Sequence, residues 1–283
     1  MSLDDPVLIT PELLRDWALP EPRGSKYSRG RVLVVGGAAA TPGAVMLAGL
    51  AALRMGAGRL TLAVDAAVAP HVAVAIPESG VGALDDDGWL AKEAEGADAV
   101  LVGPGLGDAG TAIDVLQRIA SHVGEHTPVV VDAYGATVLP EVSDECRAAL
   151  SGRLLATPNQ GELARLVGAD ELEDGEVAQA ADRVRREYGA SVAASSWVLS
   201  GDGVWRATTG DTGLGTSGSG DVLAGAVTGL LARGADAGHA LAWGVHAHAA
   251  AGDALAGRMG RVGYLASELV DELPLVLGAL RGD

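Results

Sequence analysis

The segment of this chain best suited to chemistry is a glycine-rich loop that runs directly into an apolar helix: Gly213-Leu-Gly215-Thr-Ser-Gly218-Ser-Gly220-Asp221-Val-Leu-Ala-Gly225. Phosphate oxygens need several converging N–H donors. Glycines let the backbone turn and approach closely, and a new helix adds unpaired donors and the positive end of its dipole. Gly218, Ser219 and Gly220 would then form an anion site, with the Asp221 carboxylate beside it. Capping of the helix by Ser219 or Asp221 also accounts for a bare Ser-Gly-Asp. Four glycines in the eight residues 213–220 cost more conformational entropy than a cap requires, which favours the anion site.

Further polar candidates stand at the ends of apolar runs. Asp132 closes PVVVDA, Asn159 and Glu162 lie in Thr-Pro-Asn-Gln-Gly-Glu, and Gly107 ends the loop GPGLG. Pro158 followed by Glu162 also reads as a common helix start. Asp132 is a carboxylate where a strand meets a ligand crevice, or a capping residue.

The elements that must position these groups alternate. Strand-like runs at 31–37, 59–64, 99–105, 128–133 and 153–158 are nearly continuous in apolar character, with helical stretches between most of them. That pattern predicts parallel βαβ units covered on both faces. The turn signals gather at the carboxyl ends of the runs, where open α/β sheets bind ligands, so four loops face one crevice. A charged helix is expected near 175–188, followed by a hairpin of 196–200 and 204–209 around Gly201-Asp202-Gly203. Beyond Asp221 the chain reads as Ala- and Leu-rich helices. The first thirty residues read as a leader arm with a helix at 11–17.

Composition narrows the partners. With 20 basic against 37 acidic residues the formal charge is −17, which repels nucleic acid and anionic membrane. The uncharged run Val32 to Leu53 approaches the length of a membrane span, but Gly36-Gly37 and Thr41-Pro42-Gly43 divide it into strand, turn and helix. The N-terminus lacks the layout of a signal peptide, so a cytoplasmic location is expected. Cys146 has no companion for a disulfide or a metal cluster. His246 and His248, two residues apart, do not share a helix face and read as ordinary helix positions.

Taken in order, RVLVVGGAAATPGAVMLAGLAALRMGAGRLTLAV, VLVGPGLG, TPNQGELARLVG and GTSGSGDVLAG resemble the ADP- or ATP-dependent NAD(P)H-hydrate dehydratase family, from about residue 24 to about 280. The resemblance implies an α/β, ribokinase-like three-layer αβα sandwich with a central mostly parallel sheet. Residues 1–283 would form one domain, with 1–23 as its arm. It implies that ADP or ATP, with Mg²⁺, phosphorylates the ring hydroxyl of NADHX or NADPHX, after which phosphate leaves. By the same resemblance Asp221 takes the hydroxyl proton, Gly218 and Gly220 hold the phosphoryl group, and Ala44, Gly107, Asp132 and Asn159 lie on the substrate side. Glu162 organises magnesium through water, and Ala193, Ala194, Ser195, Ser196 and Trp197 border the nucleotide. Ala44 also reads as a small residue permitting close packing, and Gly107 as a turn.

Two departures stand out. The family commonly has Asp-Ala-Asp-Ala-Leu-Asn where this chain has Asp132-Ala-Tyr-Gly-Ala-Thr137. Its usual Lys-Gly pair falls in Val192-Ala193-Ala194-Ser195-Ser196-Trp197, where no lysine stands. Loss of that cation weakens nucleotide binding unless an arginine from elsewhere substitutes. The competing expectations are a small-molecule kinase of the same fold and a dinucleotide-binding protein without turnover. The family also occurs fused to an epimerase domain, for which 283 residues leave no room, so an epimerase is expected as a separate protein. A homo-oligomer is expected by analogy.

Overall fold

The computed structural model describes residues 3–20, 26, 28–210 and 212–281. Its strands are β1 (Val7–Ile9), β2 (Arg31–Val35), β3 (Arg59–Val64), β4 (Ser79–Ala83), β5 (Ala99–Val102), β6 (Val129–Val131), β7 (Leu154–Ala156), β8 (Ala190–Ala194), β9 (Trp197–Ser200) and β10 (Gly203–Ala207). The helices are α1 (Pro11–Asp16), α2 (Pro42–Arg54), α3 (Ala69–Ala75), α4 (Asp87–Glu95), α5 (Ala109–His122), α6 (Ala133–Thr137), α7 (Asp144–Leu150), α8 (Gln160–Leu166), α9 (Val177–Tyr188), α10 (Ser219–Ala232), α11 (Ala237–Met259) and α12 (Ala266–Arg281).

The strands form one sheet in the order β1-β10-β9-β8-β7-β6-β5-β2-β3-β4. Among them β9 alone runs against its neighbours, pairing antiparallel with both β8 and β10. Alternation along β2 sorts its side chains between two layers. Val32 and Val34 join a core with α2, α10, α11 and α12, while Leu33 and Val35 join one with α4, α5, α7, α8 and α9. Both faces are thus dry, as the unbroken apolar runs require. This is the expected α/β sandwich with a mostly parallel sheet.

A core of small aliphatics permits close helix approach. At Gly225 and Gly229 of α10 a Cβ would lie 2.0 and 2.4 Å from the carbonyl oxygens of Ala48 and Ala52 on α2. Glycine there lets two backbones touch, which fixes where α10 begins. The uncharged run 32–53 resolves into β2, a turn and α2, and no helix among the described residues is long and apolar enough to cross a membrane.

Three strands go beyond the sequence expectation. β1, from the leader, pairs parallel with β10 at the sheet edge, and its Ile9 is buried. The stretch 7–16 is therefore packed against the sheet, while residues 1–2 and 21–23 of the expected arm lie outside those described. Trp17, after α1, stacks on His239 at 4.3 Å and meets Trp205 edge-on at 5.4 Å. β4 and β8 are the other two.

Candidate active site

The loops at the carboxyl ends of the strands are laced together. Gly37 N–H donates to Pro104 O and Ala38 N–H to Gly105 O, each at 2.8 Å. The Thr41 hydroxyl donates to Gly105 O, also at 2.8 Å. These bonds bring the first turn of α2, with Ala44, against GPGLG. A Cβ on Gly105 would stand 2.9 Å from that of Ala44, and one on Gly107 3.3 Å from that of Ala38. Gly107 itself is exposed.

The same edge holds Asp132. At Gly103, φ is +130° and a Cβ would fall 1.8 Å from Asp132 O, so only glycine lets the β5 loop lie so close to the end of β6. Asp132 precedes α6 without capping it through its side chain. Its buried carboxylate instead accepts a hydrogen bond from Thr157, at the end of β7, at 2.9 Å. Burial, then the charges of Glu162 and Asp221, push its pKa up to about 8. It is protonated at neutral pH. The next residue, Ala133, occupies the left-handed region at φ 48°, a strained conformation for a residue with a Cβ.

Asn159 and Glu162 form a reciprocal capping box on α8. Asn159 Oδ1 accepts from Glu162 N–H at 2.9 Å, and Glu162 Oε2 accepts from Asn159 N–H at 3.0 Å. Each side chain commits one oxygen to structure. Burial raises the Glu162 pKa, against the lowering pull of the Asn159 N–H and of Arg165.

Gly218 starts α10 in the left-handed conformation, φ 88°, and gives the helix no side-chain cap. Neither Ser219 nor Asp221 caps it. Ser219 Oγ is hydrogen-bonded to His248 Nε2 of α11 at 2.9 Å, and burial lowers the His248 pKa to about 4, so the imidazole is neutral. The first turn thus keeps N–H groups without intrahelical partners, and a Cβ on Gly220 would meet nothing within 4 Å. Asp221 stands in that turn, half-buried, with its pKa raised to about 6 by burial and by Glu162.

Three carboxylates, from the end of β6, from α8 and from α10, therefore share one electrostatic neighbourhood. Among the described residues no group of three His, Cys, Asp or Glu side chains is close enough to hold a metal directly. The hard oxygen donors and the raised pKa values of Asp132, Glu162 and Asp221 fit a cation that arrives with phosphate and keeps its waters. At neutral pH Asp221 is ionised beside free donors, an arrangement able to bind an anion and take a proton from a hydroxyl.

The remaining predicted residues lie at the same sheet edge. Ala193 and Ala194 end β8 and are buried, Ser195-Ser196 make the turn, and Trp197 opens β9. A cavity of about 530 Å³ lined by Gly30, Asp98, His126, Arg153 and Arg233 lies at the opposite, amino edge of the sheet and shares no residue with this cluster. Thr157 and His248, which hold Asp132 and Ser219, were not singled out for these roles by sequence. Thr157 opens the motif TPNQGE, so its polar character at a strand end was the available signal. A histidine within an Ala-rich helix gave none.

The sequence profile of NAD(P)H-hydrate dehydratase matches residues 32–275. The chain is 42% identical to the ADP-dependent (S)-NAD(P)H-hydrate dehydratase of Xanthomonas campestris over 96% of both chains. It is 32% identical to the Escherichia coli bifunctional NAD(P)H-hydrate repair enzyme Nnr, where it covers 94% of itself and 51% of that longer protein. In structure it resembles the ADP/ATP-dependent NAD(P)H-hydrate dehydratase of Bacillus subtilis co-crystallised with ATP/Mg²⁺, with a TM-score of 0.80, 26% identity, and coverage of 99% of this chain and 100% of that one. The chain belongs to the NAD(P)H-hydrate dehydratase family.

Proposed function

We propose that this protein restores NAD(P)H from (S)-NAD(P)H hydrate, using ADP or ATP as phosphoryl donor. The observation that carries the reading is Asp221, a carboxylate with a pKa near 6 in the first turn of an uncapped helix. The names of the relatives at 42% and 32% identity support the same reaction.

In the first step the ring hydroxyl oxygen attacks the terminal phosphorus of the nucleotide. Its proton passes to Asp221, and the bond from phosphorus to the shortened nucleotide breaks. The unpartnered N–H groups at Gly220 and Asp221 stabilise charge on the transferring oxygens. Phosphate is a far better leaving group than hydroxide. Its departure with the C–O electron pair, and loss of a proton from the adjacent ring carbon, regenerate the double bond of the dihydronicotinamide. Mg²⁺ would supply charge neutralisation on the donor phosphates, with Glu162 as its water-mediated protein contact.

Asp132 and Asn159, with Ala44 and Gly107, border the substrate side in this reading, and Ala193–Trp197 border the nucleotide. Asp132, neutral at pH 7, offers a hydrogen-bonding carboxylic acid rather than a second charge. The reading includes one domain across the chain, cytoplasmic residence, a homo-oligomer testable by size-exclusion chromatography, and a separate epimerase that supplies the S form.

The test is recovery of reduced-nicotinamide absorbance from the hydrate with ADP or ATP plus Mg²⁺. Robust recovery that vanishes in Asp221→Asn is expected. Consumption of nucleotide that leaves a stable phosphorylated product would instead identify a kinase, and nucleotide binding without turnover a binding protein.

A further inference from the structure

The acidic site just described must attract a polyanionic nucleotide, in a chain whose formal charge is −17. Backbone donors of α10 provide part of the attraction. The other part concerns the β8–β9 turn, where the family's Lys-Gly pair is missing. Ser195 takes up φ 51° there, the left-handed conformation natural to glycine and costly to serine. The stretch 192–197, which corresponds to that pair, holds no lysine. Ala194 is buried and uncharged.

The sheet pairing carries the argument to a second residue. Ala194 lies directly opposite Trp197, and Trp197 directly opposite Arg206. Residues paired in this way share one face, so Ala194, Trp197 and Arg206 form a row at the sheet edge where β8 and β10 end and β9 begins. The guanidinium of Arg206 sits over the Trp197 ring, 5.1 Å from its centroid. It therefore reaches back across β9 toward β8. The ring face stabilises it there and limits its rotamers. Arg206 is the exposed residue of an otherwise buried strand, and among the described residues no carboxylate forms an ion pair with it. Most other arginines among the described residues are already paired with a carboxylate, as Arg118 is with Asp87 and Asp114 and Arg258 with Glu272.

We infer that Arg206, held over Trp197, is the nucleotide-phosphate cation of this protein, taking the place of the lysine absent from residues 192–197. This assignment rests on the proposed use of ADP or ATP. A guanidinium is a planar, bidentate donor to phosphate, where a lysine is a point charge. The carboxyl edge of β10 is also the segment that leads into the loop before α10, so the same stretch of chain carries both the cation and the backbone donors.

Calorimetric titration of the full-length protein with ADP and with adenosine tests this without turnover. Arg206→Ala should weaken ADP binding about tenfold or more and leave adenosine within twofold, and its ADP affinity should depend less steeply on salt than that of the wild type. Arg206→Lys should recover part of the loss, since charge and ring contact survive while the bidentate fork does not. Because Arg206 is exposed at an outer strand, Arg206→Ala should keep its far-UV circular dichroism and unfolding midpoint. Unchanged ADP affinity in a folded Arg206→Ala would overturn the assignment even if the enzyme dehydrates the hydrate. Wild type that binds ADP through Arg206 but fails to restore the nicotinamide would overturn the proposed reaction and leave the assignment standing. Wild type that binds no adenine nucleotide would overturn both.

Discussion

Thr157 and Asp132 meet side chain to side chain at the carboxyl ends of adjacent strands, the hydroxyl donating to Asp132 Oδ1 at 2.9 Å. One hydrogen bond does not compensate the burial of that carboxylate, and its pKa stands at about 8 against about 3.9 in an unfolded chain. The folded state therefore holds a proton that the unfolded state has released. Stability contributed by the protonated acid is complete below about pH 4 and declines as pH rises through about 8, by at most ~1.4 kcal/mol per unit. Asp132→Asn removes the ionisation while keeping an acceptor for Thr157. The variant should gain stability over wild type as pH rises from about 5 to about 8, with no further gain above that. Urea unfolding across this range measures it, and parallel curves would refute the assignment of the proton.

Asp221 sets the acid limb of activity. A base must be deprotonated, so kcat/KM should rise with pH through about 6 and level off above. Glu162 is the charge that helps hold this value up. Glu162→Gln keeps the amide-sized acceptor for the α8 box, so the helix start survives, and the acid limb should move to lower pH while plateau activity falls if magnesium organisation depends on the carboxylate. A limb that stays in place would show that burial alone sets the pKa of Asp221.

Much of this arrangement is legible in the sequence, for a definite reason. β2, β3, β5, β6 and β7 are covered on both faces, and such strands must be written as unbroken apolar runs. β4, the edge strand SGVGA, has two glycines and no run to read, and at Gly82 the space of a Cβ is filled by the Trp89 ring 2.5 Å away. β8 is written in alanine and serine around a single valine, Val192, and β1 has only three residues inside a proline-rich leader. The candidate site divides in the same way. Asp132, Asn159, Glu162 and Asp221 stand at strand ends and helix starts, places that local pattern marks. Thr157 holds Asp132 from 25 residues away and His248 holds Ser219 from 29, and nothing local encodes such a meeting. Arg206 needed the strand register before its relation to Ala194 could be seen.

Ser219 ties the loop to α11 through His248, and both side chains are buried. Ser219→Ala leaves the imidazole Nε2 without its partner inside the protein. A buried polar atom so orphaned costs about 1–3 kcal/mol, and the loop loses an anchor next to its anion-binding donors. Thermal unfolding should show the loss, with a higher KM for the nucleotide and little change in kcat. An unaltered melting temperature would mean that the hydrogen bond contributes nothing net.

The start of α10 is set by how closely that helix lies on α2, and Gly225→Ala tests this contact. In an isolated helix the change would help, since alanine is favoured over glycine by about 1 kcal/mol. Here the new Cβ would stand 2.0 Å from Ala48 O, 2.6 Å from Ala48 C and 2.7 Å from Ala48 Cα. All three are backbone atoms of a packed helix, which cannot turn aside as a side-chain tip could. Overpacking of a tight core costs about 1–3 kcal/mol or more, so the clash should outweigh the propensity gain. The variant should unfold at lower denaturant. Because α10 must shift away from α2 to relieve the contact, Asp221 and the donors at Gly220 should move with it, lowering kcat about tenfold or more even in the fraction that stays folded. A Gly225→Ala protein as stable and as active as wild type would show that the two helices can separate freely.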